Sequence, residues 1–407
     1  MHFSVRHLFH HPALRAILLR GALVAGHMVV VLGLAFVLGL DRFGALIVLW
    51  GLALVAATLL GFGGPLVLLA RLGDGRGMHP FAVLALCLGL PGLAAMLTLP
   101  LLPLIWAGVP WGAVLAAALA IHLVACLGSV LRALGSLHLS MALRDGAPVL
   151  ALGLAGLSQG DAGAILWLAA TILAVICLGA ICACLRDPRL QQIIGRDRPF
   201  GGWEPGLWAS AILGMVLAQV DIILGGQMLS AEQIGIYALL RRLANLVALP
   251  VTVATWVSAG PISAAHAASD RAALQTASVA GAGVALWPGL ALAAVILPVA
   301  AWFVPGLPVP VLLVLLGGAM IQLVFAQGIT VASLTGHGHL AAWARLAGLL
   351  GYLGIALSLT PLDPLHNAAA YVLGSGLCSA LLWLWLWRGT GVNTLAFQSG
   401  ARRWRMS

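Results

Sequence analysis

The chain has 407 residues, of which 62% are hydrophobic and 8% charged, with a mean hydropathy of +1.09. A soluble domain carries about a quarter charged residues, so this chain cannot cover a water-facing surface and reads as an integral membrane protein. Every basic residue behind the formal net charge of +9 is arginine, and the absence of a basic stripe interleaved with aromatics excludes a nucleic-acid partner.

A bilayer span needs roughly 20 apolar residues. Arg6, Arg15 and Arg20 precede the first such run, GALVAGHMVVVLGLAFVLGL. Its start imitates a secretory signal, but the run is long enough to span and a second follows almost at once. It is therefore expected as an uncleaved first helix at 17–40. Helices follow at 44–70, 80–105 and 110–132, then a short Gly-rich fifth at 146–158 and a sixth at 163–184. The loop RDPRLQQIIGRDRPFGGWEP, with four arginines, sits near the middle of the chain. Beyond it the runs 206–229, 233–262, 274–304, 308–334, 343–360 and 367–387 bring the expected total to twelve. The fold class is therefore all-α polytopic. The organisation is a six-helix lobe at 1–185, a cytoplasmic linker at 186–205, a second six-helix lobe at 206–390 and a basic tail at 391–407.

Arginines fall on alternate sides of these helices. Arg6, Arg15, Arg71, Arg76, Arg132, Arg144, Arg186, Arg189, Arg196, Arg198, Arg271, Arg345, Arg388 and the ARRWR tail share one side. The other holds Arg42 with Asp41, Asp161, Glu232 and Asp363. The positive-inside rule makes both termini cytoplasmic, and WLWLWR at 383–388 forms an aromatic belt at that interface.

Two short segments recur. GSLHLSMALR (135–144) matches GHGHLAAWAR (336–345) at an offset of 201, and DRFG (41–44) echoes EQIG (232–235) at an offset of 191. Six helices per copy is an even number, so both copies keep one orientation. Their lobes are expected about an axis along the membrane normal, with a cleft between them, as in transporters.

Charge also enters the apolar runs. In QVDIILGGQMLSAEQIGIYALLRRLANLVALP, Asp221 and Arg241 each lie ten residues from the turn near Ala231, at matching depth. A charge near the bilayer centre costs at least about 2.5 kcal/mol, so such groups pair or face water. Asp221 is expected either as a structural pair with Arg241 or Arg242, locking the hairpin, or as a coupling group. Consecutive helical positions diverge, so one arginine is left over for an anion. Arg20 and Arg42 extend the same basic route, and Gln219, Asn245, Gln322 and Gln327 offer uncharged partners for sugar hydroxyls. The bland alternative for each amide is a bond between helices.

The six cysteines lie in apolar runs and read as packing residues. His337 and His339 are spaced i, i+2 and share no helical face, so no metal site is expected. No nucleophile elbow, P-loop or catalytic constellation appears, and neither an enzyme nor a cofactor is expected.

The stretch from Gln219 to Pro250 resembles the seventh and eighth helices of bacterial polysaccharide exporters of the multidrug/oligosaccharidyl-lipid/polysaccharide superfamily. Asp221, Gly225, Glu232, Gly235, Tyr237 and Arg242 carry the likeness, with LTGHGHLAAWARLAG, LLRGAL and LGLDRFG. TPLDPLHNAAA departs from the pattern, placing His366 and Asn367 where small residues are usual. The resemblance implies a flippase of the bacterial inner membrane. It would move a polyprenyl-diphosphate-linked oligosaccharide, an O-antigen or exopolysaccharide unit, to the periplasmic leaflet by alternating access. Implied partners are that lipid, the surrounding membrane lipids and other polysaccharide-assembly proteins. The rival on the same fold is a cation-coupled multidrug exporter. A major-facilitator transporter also has two parallel repeats, but RLGDGRG (71–77) breaks its loop signature. From another class, a polysaccharide polymerase or ligase would need a larger outward loop than this chain has.

Overall fold

The computed structural model describes residues 12–73, 77–193, 205–303, 306–359 and 362–396, and among them the chain is helical with no β-strand. The N-terminal histidines, most of the linker and the ARRWR tail lie outside these residues. Eleven described helices are long and apolar enough to cross a membrane. We number the spans α1 (Pro12–Leu38), α2 (Leu40–Leu60), α3 (Pro80–Thr98), α4 (Trp111–Ala133), α5 (Leu137–Met141, Ala142–Gly146 and Ala147–Gly156 in succession) and α6 (Ala162–Arg186). The second series is α7 (Pro205–Met228), α8 (Ala231–Ala267), α9 (Arg271–Phe303), α10 (Val309–Leu334), α11 (Gly338–Ser358) and α12 (Pro364–Thr390). The twelfth element is α5, which Arg144 and Asp145 make less apolar than the rest.

Proline and polar caps start these helices, because the first turn leaves backbone N–H groups without partners. Asp161 Oδ1 accepts from the Ala164 N–H at 2.8 Å ahead of α6, and Asp363 Oδ1 accepts from His366 N–H at 2.7 Å on α12. At α8, Ser230 and Gln233 cap one another reciprocally, at 3.0 and 3.2 Å.

Several spans depart from the lengths expected, α2, α3, α5 and α8 among them. α2 stops at Leu60, turns through Phe62 (φ 47°) and Gly63 (φ 73°), and resumes as Gly64–Gly73. α3 ends at Thr98 rather than near 105, since Pro100 and Pro103 restart the chain as the short turn Leu102–Ile105. α5 begins at Leu137, before the expected 146. α8 continues beyond 262 to Ala267 and passes through a 3₁₀ turn at Leu246–Ala248.

α3 and α5 share a local device. Each contains a π turn, Ala85–Gly89 and Ala142–Gly146, closed by an N–H five residues on, and each has proline as the next residue: Leu90 then Pro91, Ala147 then Pro148. Proline has no N–H to give, so the ladder slips by one residue and a carbonyl loses its donor. In α3 that carbonyl is Leu86 O. His122 Nε2 of α4, a buried ring, takes it at 2.9 Å.

Contacts divide the chain into two compact units, Met1–Leu239 and Leu240–Ser407. In the first, α4 packs on α2, α3, α5 and α6, and Val124, Cys126, Leu127 and Val130 of α4 stand in its core. α7 belongs to this unit and runs antiparallel to α2. A Cβ at Gly63 would stand 3.4 Å from Trp208 Cβ, one at Gly51 3.9 Å from Gln219 Cβ, and one at Gly226 3.2 Å from Val48 Cβ. At the far end a Cβ at Gly44 would overlap the Ala231 carbonyl, and one at Gly235 the Leu40 carbonyl.

In the second unit α11 packs on α12, α9 on the latter part of α8, and α10 on α12. After α12 the chain reverses at Gly391 (φ 66°) and returns as a strap, residues 391–396. Gln275 of α9 donates to Asn393 O at 2.6 Å and accepts from Asn393 N–H at 2.7 Å. Trp383 Nε1 donates to Asn393 Oδ1 at 2.9 Å, and Ala396 N–H to the Val324 carbonyl of α10 at 3.1 Å. Val392 and Thr394 of the strap are themselves buried.

Candidate functional site

The polar residues expected to matter divide between the units. Arg20, Arg42, Gln219 and Asp221 lie in the first; Arg241, Arg242, Asn245, Gln322 and Gln327 lie in the second.

In the first unit, Asp221 of α7 is fully buried, and Tyr237 of α8 donates its hydroxyl to Oδ2 at 2.6 Å. A bond this short to a carboxylate stabilises the charge where water is excluded. Two residues earlier, Gln219 is 7% exposed, and among the described residues its Oε1 has no hydrogen-bond partner. That oxygen lies 3.4 Å from where a Cβ at Gly51 would stand, aimed at α2. A buried acceptor left this way costs about 1–3 kcal/mol.

Arg20 of α1 reaches the π turn of α5, where its Nη1 donates to Asp145 Oδ2 at 3.4 Å. Arg144 Nε holds the other oxygen at 3.0 Å. One carboxylate thus sits between two guanidinium groups, leaving net positive charge on a group about a quarter to a half exposed. Sequence reasoning missed Asp145, which lies 125 residues from Arg20. Arg42 takes a local role: its Nη1 donates to the Gln159 carbonyl at 3.2 Å, holding the turn between α5 and α6, where Gln159 has φ 52°.

In the second unit, Arg241 is buried, with Cζ 4.3 Å above the centroid of the Tyr371 ring of α12. An arginine over an aromatic face keeps its charge where a lysine would be harder to hold. Arg242 is half-buried beside it, and Asn245 is exposed where the first part of α8 ends. Gln322 is half-buried on α10. Gln327, fully buried at the kink of α10, accepts the Ser258 hydroxyl at 2.9 Å. Gly281 leaves it room, since a Cβ there would meet Nε2 at 2.8 Å. Gln327 therefore bonds between helices. Asn367 does likewise, accepting the Tyr352 hydroxyl at 2.9 Å and joining α11 to α12.

His337 Nδ1 lies 3.0 Å from Thr335 Oγ1. Among the described residues no group of three or more His, Cys, Asp or Glu is placed to hold a metal.

No protein-family profile and no curated relative matches this chain. Solved structures do. An inward-facing multidrug resistance MATE family transporter of the MOP superfamily aligns at 17% identity over 92% of this chain and 95% of its own, with a TM-score of 0.68. A MATE protein in complex with MaD3S aligns at 17% identity over 93% and 94%, with a TM-score of 0.65. A Pyrococcus furiosus MOP superfamily transporter, described as having a binding pocket of reverse polarity, aligns at 15% over 91% and 92%, with a TM-score of 0.58. The chain has the all-helical, two-lobed fold of the MATE-like transporters of the MOP superfamily.

Proposed function

We propose that this membrane transporter moves an amphiphile with an anionic, hydroxyl-bearing head group: a polyprenyl-diphosphate-linked oligosaccharide, carried from the cytoplasmic to the periplasmic leaflet. The inner membrane with both termini cytoplasmic is the matching location, and other proteins of polysaccharide assembly are the matching partners. The observation that carries this reading is the balance of charge on the spans. On α1, α5, α7 and α8, Arg20, Arg144, Arg241 and Arg242 stand against the acids Asp145, Asp221 and, in the first turn of α8, Glu232. Asp145 is already held by Arg20 and Arg144, and Asp221 by the Tyr237 hydroxyl. Guanidinium groups match the geometry of a diphosphate, while a cationic drug would be repelled. The lipid tail can remain in the bilayer during the crossing.

The second reading, a cation-coupled multidrug exporter, is the one nearer to the comparisons, because the similar folds include multidrug transporters. Asp221, buried against Tyr237, would then be the group that exchanges a cation. A deletion strain separates the two. Lipid-linked glycans should accumulate on its cytoplasmic leaflet, as measured by mass analysis, with unchanged resistance to cationic dyes. Loss of dye resistance without glycan accumulation would favour the exporter.

A further inference from the structure

We propose that His337 and His339 form a two-histidine site for one divalent transition-metal ion at the turn between α10 and α11. Nothing in this site depends on which substrate the transporter carries.

Within a helix, positions i and i+2 face apart, and on that ground the two side chains read as unconnected. His337, however, stands outside the helix. The chain leaves α10 at Thr335 and turns through Gly336 (φ 77°). His337 then caps α11 with φ −97° and ψ 28°, and His339 follows in the first turn. This path brings the two rings to 6.1 Å between centroids. A metal–nitrogen bond of about 2.1 Å puts each ring centre about 3.2 Å from the ion, so tetrahedral ligation sets the centres about 5 Å apart. The remaining gap of about 1 Å is within reach of a rotamer change at His339, which is exposed.

The hydrogen bonds fix the tautomer of the first ligand. Thr335 Oγ1 lies 2.8 Å from the Val331 carbonyl, a separation of two oxygens that requires the hydroxyl hydrogen between them. Toward His337 that oxygen can therefore only accept, so the ring proton sits on Nδ1, 3.0 Å away. Nε2 keeps its lone pair. An imidazole that donates from one nitrogen and offers the other is the form in which histidine binds a metal. Residues 328–344 contain no Asp, Glu or Cys. Nitrogen ligands without carboxylates select ions of the zinc, nickel and copper group over magnesium or calcium, with water completing the coordination. An ion held by both rings ties the end of α10 to the first turn of α11.

The probe is zinc, titrated by calorimetry onto purified full-length protein carrying no polyhistidine tag. Histidines elsewhere and the exposed Cys182 are common to every variant, so the site is read from differences. His337→Ala and His339→Ala should each remove one ion per chain, and the double variant should remove that same single ion. Both should melt as wild type does when zinc is absent. Thr335→Val keeps both ligands and should weaken this ion by roughly tenfold to a hundredfold. Zinc stoichiometry unchanged by either alanine would overturn the site. Loss of two ions in the double variant would mean two separate surface histidines and overturn the chelate. Wild-type affinity in Thr335→Val would overturn the part given to the Thr335 hydroxyl.

Discussion

Tyr237 and Asp221 meet at 2.6 Å with neither side chain open to water. Tyr237→Phe removes one donor from a buried carboxylate. It should cost roughly 1.5–3 kcal/mol, read as a lower melting temperature in detergent; an unchanged melt would mean that the carboxylate is neutral. The pairing of Asp221 with an arginine, expected from their depth, is tested by exchange. Asp221→Arg with Arg242→Asp should recover membrane abundance but not polysaccharide export, because an acid then faces an anionic substrate; recovered export would make the pair purely structural. Arg20 and Asp145 call for the opposite balance. Their pair is partly exposed, so it contributes under about 1 kcal/mol and abundance should survive Arg20→Gln while export fails. Immunoblot against surface-polysaccharide staining separates the two effects. The arginines were legible as candidates because a charge in an apolar run stands out. Asp145 was not, because it follows Arg144 directly and looks like half of a loop pair, whereas its other partner is 125 residues away. Arg42 shows the reverse case: a conspicuous cation whose bond is to a turn carbonyl.

Among elements, length and hydropathy made the spans readable, since a bilayer admits few other solutions for apolar runs of this size. The interruptions were harder to see. Phe62 and Gly63 break α2 without any polar signal, because a positive φ depends on backbone and not on hydropathy. The π turns had a readable cause in Pro91 and Pro148, but the partner that satisfies the freed carbonyl belongs to another helix. That dependence predicts a coupled pair of substitutions. His122→Leu should cost roughly 1–3 kcal/mol by stranding the Leu86 carbonyl. Adding Pro91→Ala should recover part of the loss, since the restored N–H lets the ladder of α3 close again. A double-mutant cycle on melting temperature checks this, and strict additivity would mean that His122 and the π turn are independent.

For the whole molecule, the twelve spans expected from the sequence and the arginine asymmetry together give an expected orientation. Ala268→Cys, exposed between α8 and α9, should react with an impermeant maleimide only from the cytoplasmic side. Ser158→Cys, exposed after α5, should react only from outside, in a background lacking the exposed Cys182. Labelling of both from one side would overturn the twelve-span topology. The repeat was legible in DRFG and EQIG, but the mutual contact of Gly44 and Gly235 was not, because short matches carry no distance. The strap at 391–396 has a consequence for biogenesis. It joins α9, α10 and α12 through backbone and side-chain bonds made by residues that follow every span. Insertion of the spans into the membrane and completion of the second unit are therefore separate events. A chain ending at Thr390 would insert with all twelve helices and still leave α9 and α10 without their last partners, so a membrane quality-control protease would find that unit open.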